Sequence, residues 1–253
     1  MTDDKPKRLT LSDGSYIAYH ASPGKNPGVV FLGGFMSDMT GTKATALEAH
    51  CRATGRAFVR FDYLGHGASS GKFEDGTIGR WRDDALAVLD RVTDGPQILV
   101  GSSMGGWIAL LAALARPERV VGLVGLAAAP DFTRDLMWPS FTPEERDALA
   151  RDGFIRQPTE YGDEPYVITR KLLDEAERHL LLDRPVGITC PVRLIHGTAD
   201  PDVPWDVSRR LLERLQSQDV TLTLVKDGDH RLSSPADLAR LFAAVDELAA
   251  KVS

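Results

Sequence analysis

The chain has 253 residues, 43% hydrophobic and 26% charged, with a net charge of −6 at pH 7. That length can bury a full core without disulfides or metals, and the composition excludes a disordered or collagen-like chain. Its mixed, mildly acidic charge leaves no electrostatic footprint for nucleic acid or an anionic membrane. Every apolar run is broken by Gly or charge before the roughly 18 residues of a membrane span. Cys51 and Cys190 have no neighbouring Cys or clustered His, so they read as reduced thiols, neither a disulfide framework nor a metal site. The opening MTDDKPKRLT has neither the apolar stretch of a signal peptide nor the Ser and Arg of a transit peptide, so the expected compartment is the cytoplasm.

In chain order, residues 8–11 and 16–20 flank the turn Ser12-Asp13-Gly14 and read as a hairpin. Continuous apolar runs follow at 28–32, 57–61, 97–100, 120–127, 192–196 and 221–225. Continuity, in place of alternation, marks strands covered on both faces, as in a parallel sheet between helices. Helical patterns lie between them at 43–54, 81–93, 104–115 and 207–216. The last helix opens on Ser234-Pro235, a cap with Pro at the first helical position. Its Leu238, Leu241, Phe242, Val245, Leu248 and Val252 form one stripe. Strands alternating with helices give βαβ units and an α/β fold. Between Pro130 and Pro191 no strand is expected. There Thr142-Pro143-Glu144-Glu145 is a capping box, and a second helix is expected over 167–182. The organisation expected is thus one α/β core, 1–130 and 191–253, with a helical lid at 131–190.

The pattern G-x-S-x-G occurs twice, at Gly101-Ser102-Ser103-Met104-Gly105 and at Gly67-Ala68-Ser69-Ser70-Gly71. A nucleophile elbow needs a buried strand before it and a helix after it. The first copy lies between Ile98-Leu99-Val100 and Gly106-Trp107-Ile108-Ala109-Leu110-Leu111. The second lies among turn formers, which makes Ser103 the candidate nucleophile and Ser69 a loop residue. A serine hydroxyl needs a base, and in this architecture the acid and then the histidine follow the serine along the chain. Of the six histidines, His196 and His230 lie past Ser103 outside the helix carrying His179. His230 sits in a polar loop after the last strand and suits a base. His196 ends a strand and is expected to shape the acid loop. Asp200 and Asp202 follow that strand, and Asp200, nearer its end, is preferred, while Asp202 could instead cap the next helix. The oxyanion donors expected are the N–H groups of Met104, next to the nucleophile, and Phe35, after Gly33-Gly34.

These residues carry a resemblance. LGGF, RFDYLGHGASSG, GSSMGGW, HGTADPDVP and DGDHR resemble the α/β-hydrolase superfamily. MTGTKA, GRWRDDAL, GPQILVGSSMGGW and CPVRLIHGTADPDVPW resemble, within it, the mitochondrial palmitoyl-protein thioesterase and mycophenolic acid acyl-glucuronide esterase branch. The resemblance runs over about residues 9–252 and is weakest at the lid. It implies Ser103, Asp200 and His230 as nucleophile, acid and base, and hydrolysis of carboxylic esters or thioesters through an acyl-enzyme. The first strand starts within a few residues of the N-terminus, with no transit peptide, as expected of a bacterial-type relative.

Two other readings use the same scaffold: an aminopeptidase or carbon–carbon bond hydrolase, and a non-catalytic binding protein. An aminopeptidase needs acid in the lid, where Asp135, Glu144 and Glu145 stand. An intact Ser–Asp–His set argues against a mere binder. The lid opens with Phe132, Leu136, Met137, Trp138, Phe141 and, further on, Phe154. Trp138 and Phe141, with Trp107 on the helix after the nucleophile, are candidates for binding an apolar acyl group. No metal or organic cofactor is expected, because no ligand cluster or dinucleotide fingerprint is present. The expected partner is a small ester or thioester, without nucleic acid or a membrane span, acted on by a monomer or small homo-oligomer.

Overall fold

Each apolar run becomes a strand, and the strands form one sheet. The computed structural model describes residues 5–159 and 165–252. In chain order the elements are β1 (Lys7–Thr10), β2 (Tyr16–Ser22), β3 (Lys25–Leu32), α1 (Thr42–Ala53), β4 (Arg56–Phe61), α2 (Ile78–Arg91) and β5 (Gln97–Ser102). Next come α3 (Met104–Ala115), β6 (Val120–Leu126), α4 (Trp138–Ser140), α5 (Pro143–Asp152), β7 (Phe154–Gln157), β8 (Tyr166–Thr169) and α6 (Arg170–Ala176). The chain closes with β9 (Val192–Gly197), α7 (Asp206–Arg214), β10 (Val220–Val225) and α8 (Pro235–Val252).

The main sheet has the order β1-β2-β4-β3-β5-β6-β9-β10. The hairpin strand β2 runs antiparallel to β1 and β4, and the other pairings are parallel. β5 is buried along its whole length, which is why its sequence is continuously apolar. One face of the sheet is covered by α2, α3 and α7 through Trp81, Met104, Trp107 and Leu211. The other is covered by α1 and α8 through Leu47, Cys51, Leu241, Val245 and Leu248. Strand order reverses between β3 and β5, and open α/β sheets bind ligands at such a point, beyond the carboxyl ends of the strands.

The segment between β6 and β9 departs from expectation. It holds helices, including α5 with the expected Thr142–Glu145 capping box, but also a two-stranded sheet. In it β7 pairs antiparallel with β8, setting Ile155 opposite Ile168. Both isoleucines bury with Phe141, Leu149 and Leu173 in a small core of their own. Four residues per strand are too few for alternation to stand out, although Val167-Ile168-Thr169 is β-branched throughout. The helix expected from residue 167 begins at Arg170, because Thr169 is its cap and accepts from the Leu172 N–H. It ends early as well. A 3₁₀ turn, Glu177–His179, follows, and the chain then bends so that Leu181 and Leu182 meet Asp131.

That meeting closes the segment at its base. Asp131 is wholly buried at φ 60°. Its carboxylate accepts from the Leu181 N–H at 2.9 Å and the Leu182 N–H at 2.8 Å. Arg134 then bridges Asp135 and Asp183, and Arg210 of α7 reaches Asp135. Removing the carboxylate strands two buried donors, each worth about 1–3 kcal/mol when unpaired. Asp131→Ala should therefore lower unfolding free energy by roughly 2–5 kcal/mol in urea titration, and an unchanged midpoint would refute the clasp.

Candidate active site

Ser103 stands between β5 and α3 with φ 54° and ψ −119°, a conformation that L-residues avoid. Three backbone bonds fix it. Its N–H donates to Leu126, and its carbonyl accepts from Gly106 and Ala129. The turn can be this tight only because of glycine. A Cβ on Gly101 would lie 2.4 Å from the Gly105 carbonyl, and one on Gly105 would lie 2.1 Å from the Leu32 carbonyl. Ser103 is thereby lifted to the carboxyl edge of the sheet, half-exposed. The second motif is built differently. Ser69 accepts from the Ala18 N–H at 2.8 Å and donates to the Asp62 carbonyl at 2.6 Å, so its hydroxyl is spent on holding a loop to β2.

The loops after β9 and β10 bring Asp200 and His230 together. His230 Nδ1 donates to Asp200 Oδ2 at 2.7 Å. This carboxylate is fully buried and the imidazole is 16% exposed. Asp200 Oδ1 accepts from the backbone N–H groups of Asp202 and Val203, both at 2.9 Å. His196 supports from behind. Its Nε2 donates to the Val203 carbonyl at 2.9 Å and lies 3.2 Å from Asp200 Oδ2, and its Nδ1 is 2.7 Å from the Ser208 hydroxyl. A carbonyl only accepts, so the proton sits on Nε2 and Ser208 donates to Nδ1. Burial alone would raise the Asp200 pKa, but the bonds from His196, His230 and Val203 outweigh it and hold the carboxyl well below its usual range. Sequence reasoning placed His196 at this loop but did not find Ser208, whose only signal is a small polar residue on the buried face of α7.

On the other side of Ser103 lies the loop after β3. A Cβ on Gly34 would be 3.5 Å from Ser103 Cβ. Gly34 also accepts from the Ser37 N–H at 3.1 Å, and Met36 has φ 56°, so the loop doubles back beside the serine. The Phe35 ring packs edge-on against Phe73 and Trp81 of the core and against Phe132 and Tyr166 of the inserted segment. Met104 opens α3 with its N–H at the helix N-terminus, where donors lack intrahelical partners. Lys43 of α1 donates to the carbonyl of Arg231, the residue after His230, and so ties the base loop to the helix that follows the Phe35 loop.

The three apolar candidates are not brought together. Trp107 is wholly buried, its indole N–H donating to the His179 carbonyl at 3.1 Å. Phe141 is 3% exposed within the small core of the inserted segment. Both are packed away from solvent, unlike Trp138, and apolarity alone does not separate a wall from a core. Trp138 is 43% exposed, with the Arg146 guanidinium 5.1 Å from its ring centre. Asp200, Asp202 and His230 also offer ligand atoms within 4.8 Å of one another, but a cation there would compete with the hydrogen bonds that already hold Asp200.

A strained serine at the end of the central strand and an Asp–His pair stand on the same edge of the sheet. Residues 29–242 match the sequence profile of the alpha/beta hydrolase family, and the chain belongs to it. Among its relatives is the mouse palmitoyl-protein thioesterase ABHD10, mitochondrial, 44% identical over 97% of this chain and 82% of the mouse sequence. The structure of mouse alpha/beta hydrolase domain-containing protein 10 superposes with a TM-score of 0.90 at 42% identity, covering 98% of this chain and 99% of that one. A structure described as a hydrolase from Agrobacterium vitis S4 gives a TM-score of 0.92 at 43% identity, covering 97% and 98%. No helix among the described residues is long and apolar enough to cross a membrane.

The elbow itself can be tested by overpacking. Gly105→Ala should cost at least about 1–3 kcal/mol in denaturant titration and cut the rate of fluorophosphonate labelling. Wild-type labelling and stability would show that the turn has slack.

Proposed function

We propose that this hydrolase is a serine esterase or thioesterase working through an acyl-enzyme on Ser103. What carries the reading is the partly buried Asp200–His230 hydrogen bond, at 2.7 Å, on the sheet edge that carries the strained Ser103. His230 Nε2 takes the Ser103 proton as Oγ attacks the acyl carbonyl. Asp200 holds the imidazole tautomer through Nδ1 and stabilises the imidazolium. Negative charge on the carbonyl oxygen is met by the N–H groups of Met104 and Phe35. Collapse expels an alcohol or thiol, which leaves with the proton from His230. Water then repeats the sequence on the acyl-enzyme and frees the acid. The likeness to the palmitoyl-protein thioesterases supports an acyl thioester as the substrate class.

In this reading the segment 131–190 is a lid over the site. Support comes from Phe35, whose ring lies 5.8 Å from that of Phe132 and 5.7 Å from that of Tyr166, centre to centre. The oxyanion loop and the inserted segment thus share one aromatic wall, and Trp138 of the same segment is exposed. The aminopeptidase reading loses ground here. Asp135 is engaged by Arg134 and Arg210, and Glu145 by its own helix cap.

Ser103→Ala should reduce ester hydrolysis by at least roughly 10⁴-fold with its fold intact, whereas Ser69→Ala should lose stability and keep labelling at Ser103. Asp200 stays ionised throughout the working range, because its pKa is depressed. Asp200→Asn should cost about 10⁴ in kcat. A mild Asp200→Asn beside a crippling Asp202→Asn would reassign the acid.

Substrate choice rests with the apolar wall. Each methylene buried is worth about 0.8 kcal/mol, or roughly fourfold in kcat/KM until the channel is full. A graded panel of acyl thioesters and nitrophenyl esters should show that climb, and Tyr166→Ala or Trp138→Ala should flatten it. Equal rates for acetyl and octanoyl substrates, or faster turnover of aminoacyl amides, would overturn the acyl-channel reading.

A further inference from the structure

The two edges of the main sheet are treated unequally. β1, at one edge, has the sequence KRLT and exposes Lys7 and Arg8, charges that discourage strand pairing. β10, at the other edge, has the sequence VTLTLV, with no charge, proline, glycine or bulge. Leu224 on it is 42% exposed. Such an edge is a template for another strand.

Which backbone groups it offers follows from its pairing with β9. The Val192 N–H donates to the Asp219 carbonyl, and the Thr198 N–H to that of Val225. In a parallel ladder alternate residues face the same neighbour, so Thr221, Thr223 and Val225 bond inward to β9. Val220, Leu222 and Leu224 turn their N–H and C=O groups outward. Among the described residues no backbone bond reaches that outer side.

We propose that a second copy of this chain fills it, the two β10 strands pairing antiparallel about a twofold axis at Leu222 and joining two eight-stranded sheets. The occupant is argued from self-complementarity. An axis perpendicular to the sheet keeps each face on its own side, so paired residues must be an even number apart in register. Centred on Leu222, the axis sets Leu222 against its own copy and Val220 against Leu224. These are the outward-facing residues, so every free donor and acceptor meets its opposite. Thr221 meets Thr223 on the other face, a favourable cross-strand pair. Beyond the strand Gln218 meets Lys226, with no like charges opposed. The alternative axis at Thr223 would set Asp219 against Asp227 and take Val220 out of the strand pairing. The exposed Leu224 is covered in the first arrangement by the partner's Val220.

The test uses the full chain. Sedimentation or light scattering should give a dimer whose thermal midpoint rises with concentration, and Leu224→Lys, at an exposed position, should give a folded monomer whose midpoint does not. Register is read by crosslinking. Thr221 and Thr223 form a non-hydrogen-bonded pair whose Cα atoms are about 4.5 Å apart in antiparallel sheets, within disulfide reach. Thr221→Cys mixed with Thr223→Cys should crosslink under mild oxidation, while either alone should not, since identical positions then lie too far apart. A wild-type chain that stays monomeric up to its solubility limit overturns the proposal. So does a dimer that survives Leu224→Lys, or crosslinking of a single variant as efficient as that of the mixture.

Discussion

The sheet edge is organised around one uncomfortable residue. Ser103 holds φ 54° and ψ −119°, which costs about 1–3 kcal/mol wherever it occurs. The surroundings leave it no choice. Leu126, Gly106 and Ala129 grip its backbone, and three glycines bring α3 so close to β5 and β3 that the turn cannot relax. A Cβ on Gly106 would stand 2.6 Å from Ala128, so the segment after β6 presses on the same turn. The glycines lower the local preference for helix and are retained because only a bare backbone fits. The serine is fixed in place before any substrate arrives, and the strain is sustained by the packing of the whole central sheet.

Against that rigid serine Asp200 and His230 are held unequally. Asp200 is buried and accepts from two backbone N–H groups and two imidazoles. It is fixed as an anion by a crowd of donors and not by a formal countercharge. His230 meets the same carboxylate from a loop and keeps partial exposure. One carboxylate is thus shared by a fully buried imidazole bonded on both nitrogens and a second imidazole that keeps partial exposure. The contrast suits the proposed division of labour, in which Asp200 must not move and His230 must exchange protons.

Much of this was legible in the sequence, and for identifiable reasons. Continuous apolar runs revealed the parallel strands because both faces of β3, β5 and β6 are covered. The strand–turn–helix context separated Ser103 from Ser69, and the structure gives the Ser69 hydroxyl a purely local task. Asp200 and His230 were singled out by their positions after consecutive strands, and the fold joins them. The rest depended on tertiary contacts. β7 and β8 are four residues each, too short to show a period, and they exist because Ile155 and Ile168 share a core with Phe141. That Trp107 and Phe141 are buried while Trp138 is exposed was not legible either, because nothing in a sequence says which side of an apolar residue faces solvent. Ser208 became relevant only when α7 laid it beside His196.

The clasp at Asp131 has a consequence for how such a protein can change. The inserted segment enters and leaves the core at one point, its two ends fastened by the same carboxylate. Closing the ends of a long stretch of chain costs entropy that grows only slowly with its length, and here the fastening does not depend on what lies between. Phe141, Leu149, Ile155, Ile168 and Leu173 give the segment an interior of its own. Part of it is therefore a cassette: residues can be exchanged around that inner core, while α6 and the turn after it stay tied to α2 and α3 through Glu175–Gly79 and His179–Trp107. Variation in that inner core can accumulate at small cost to the stability of the frame.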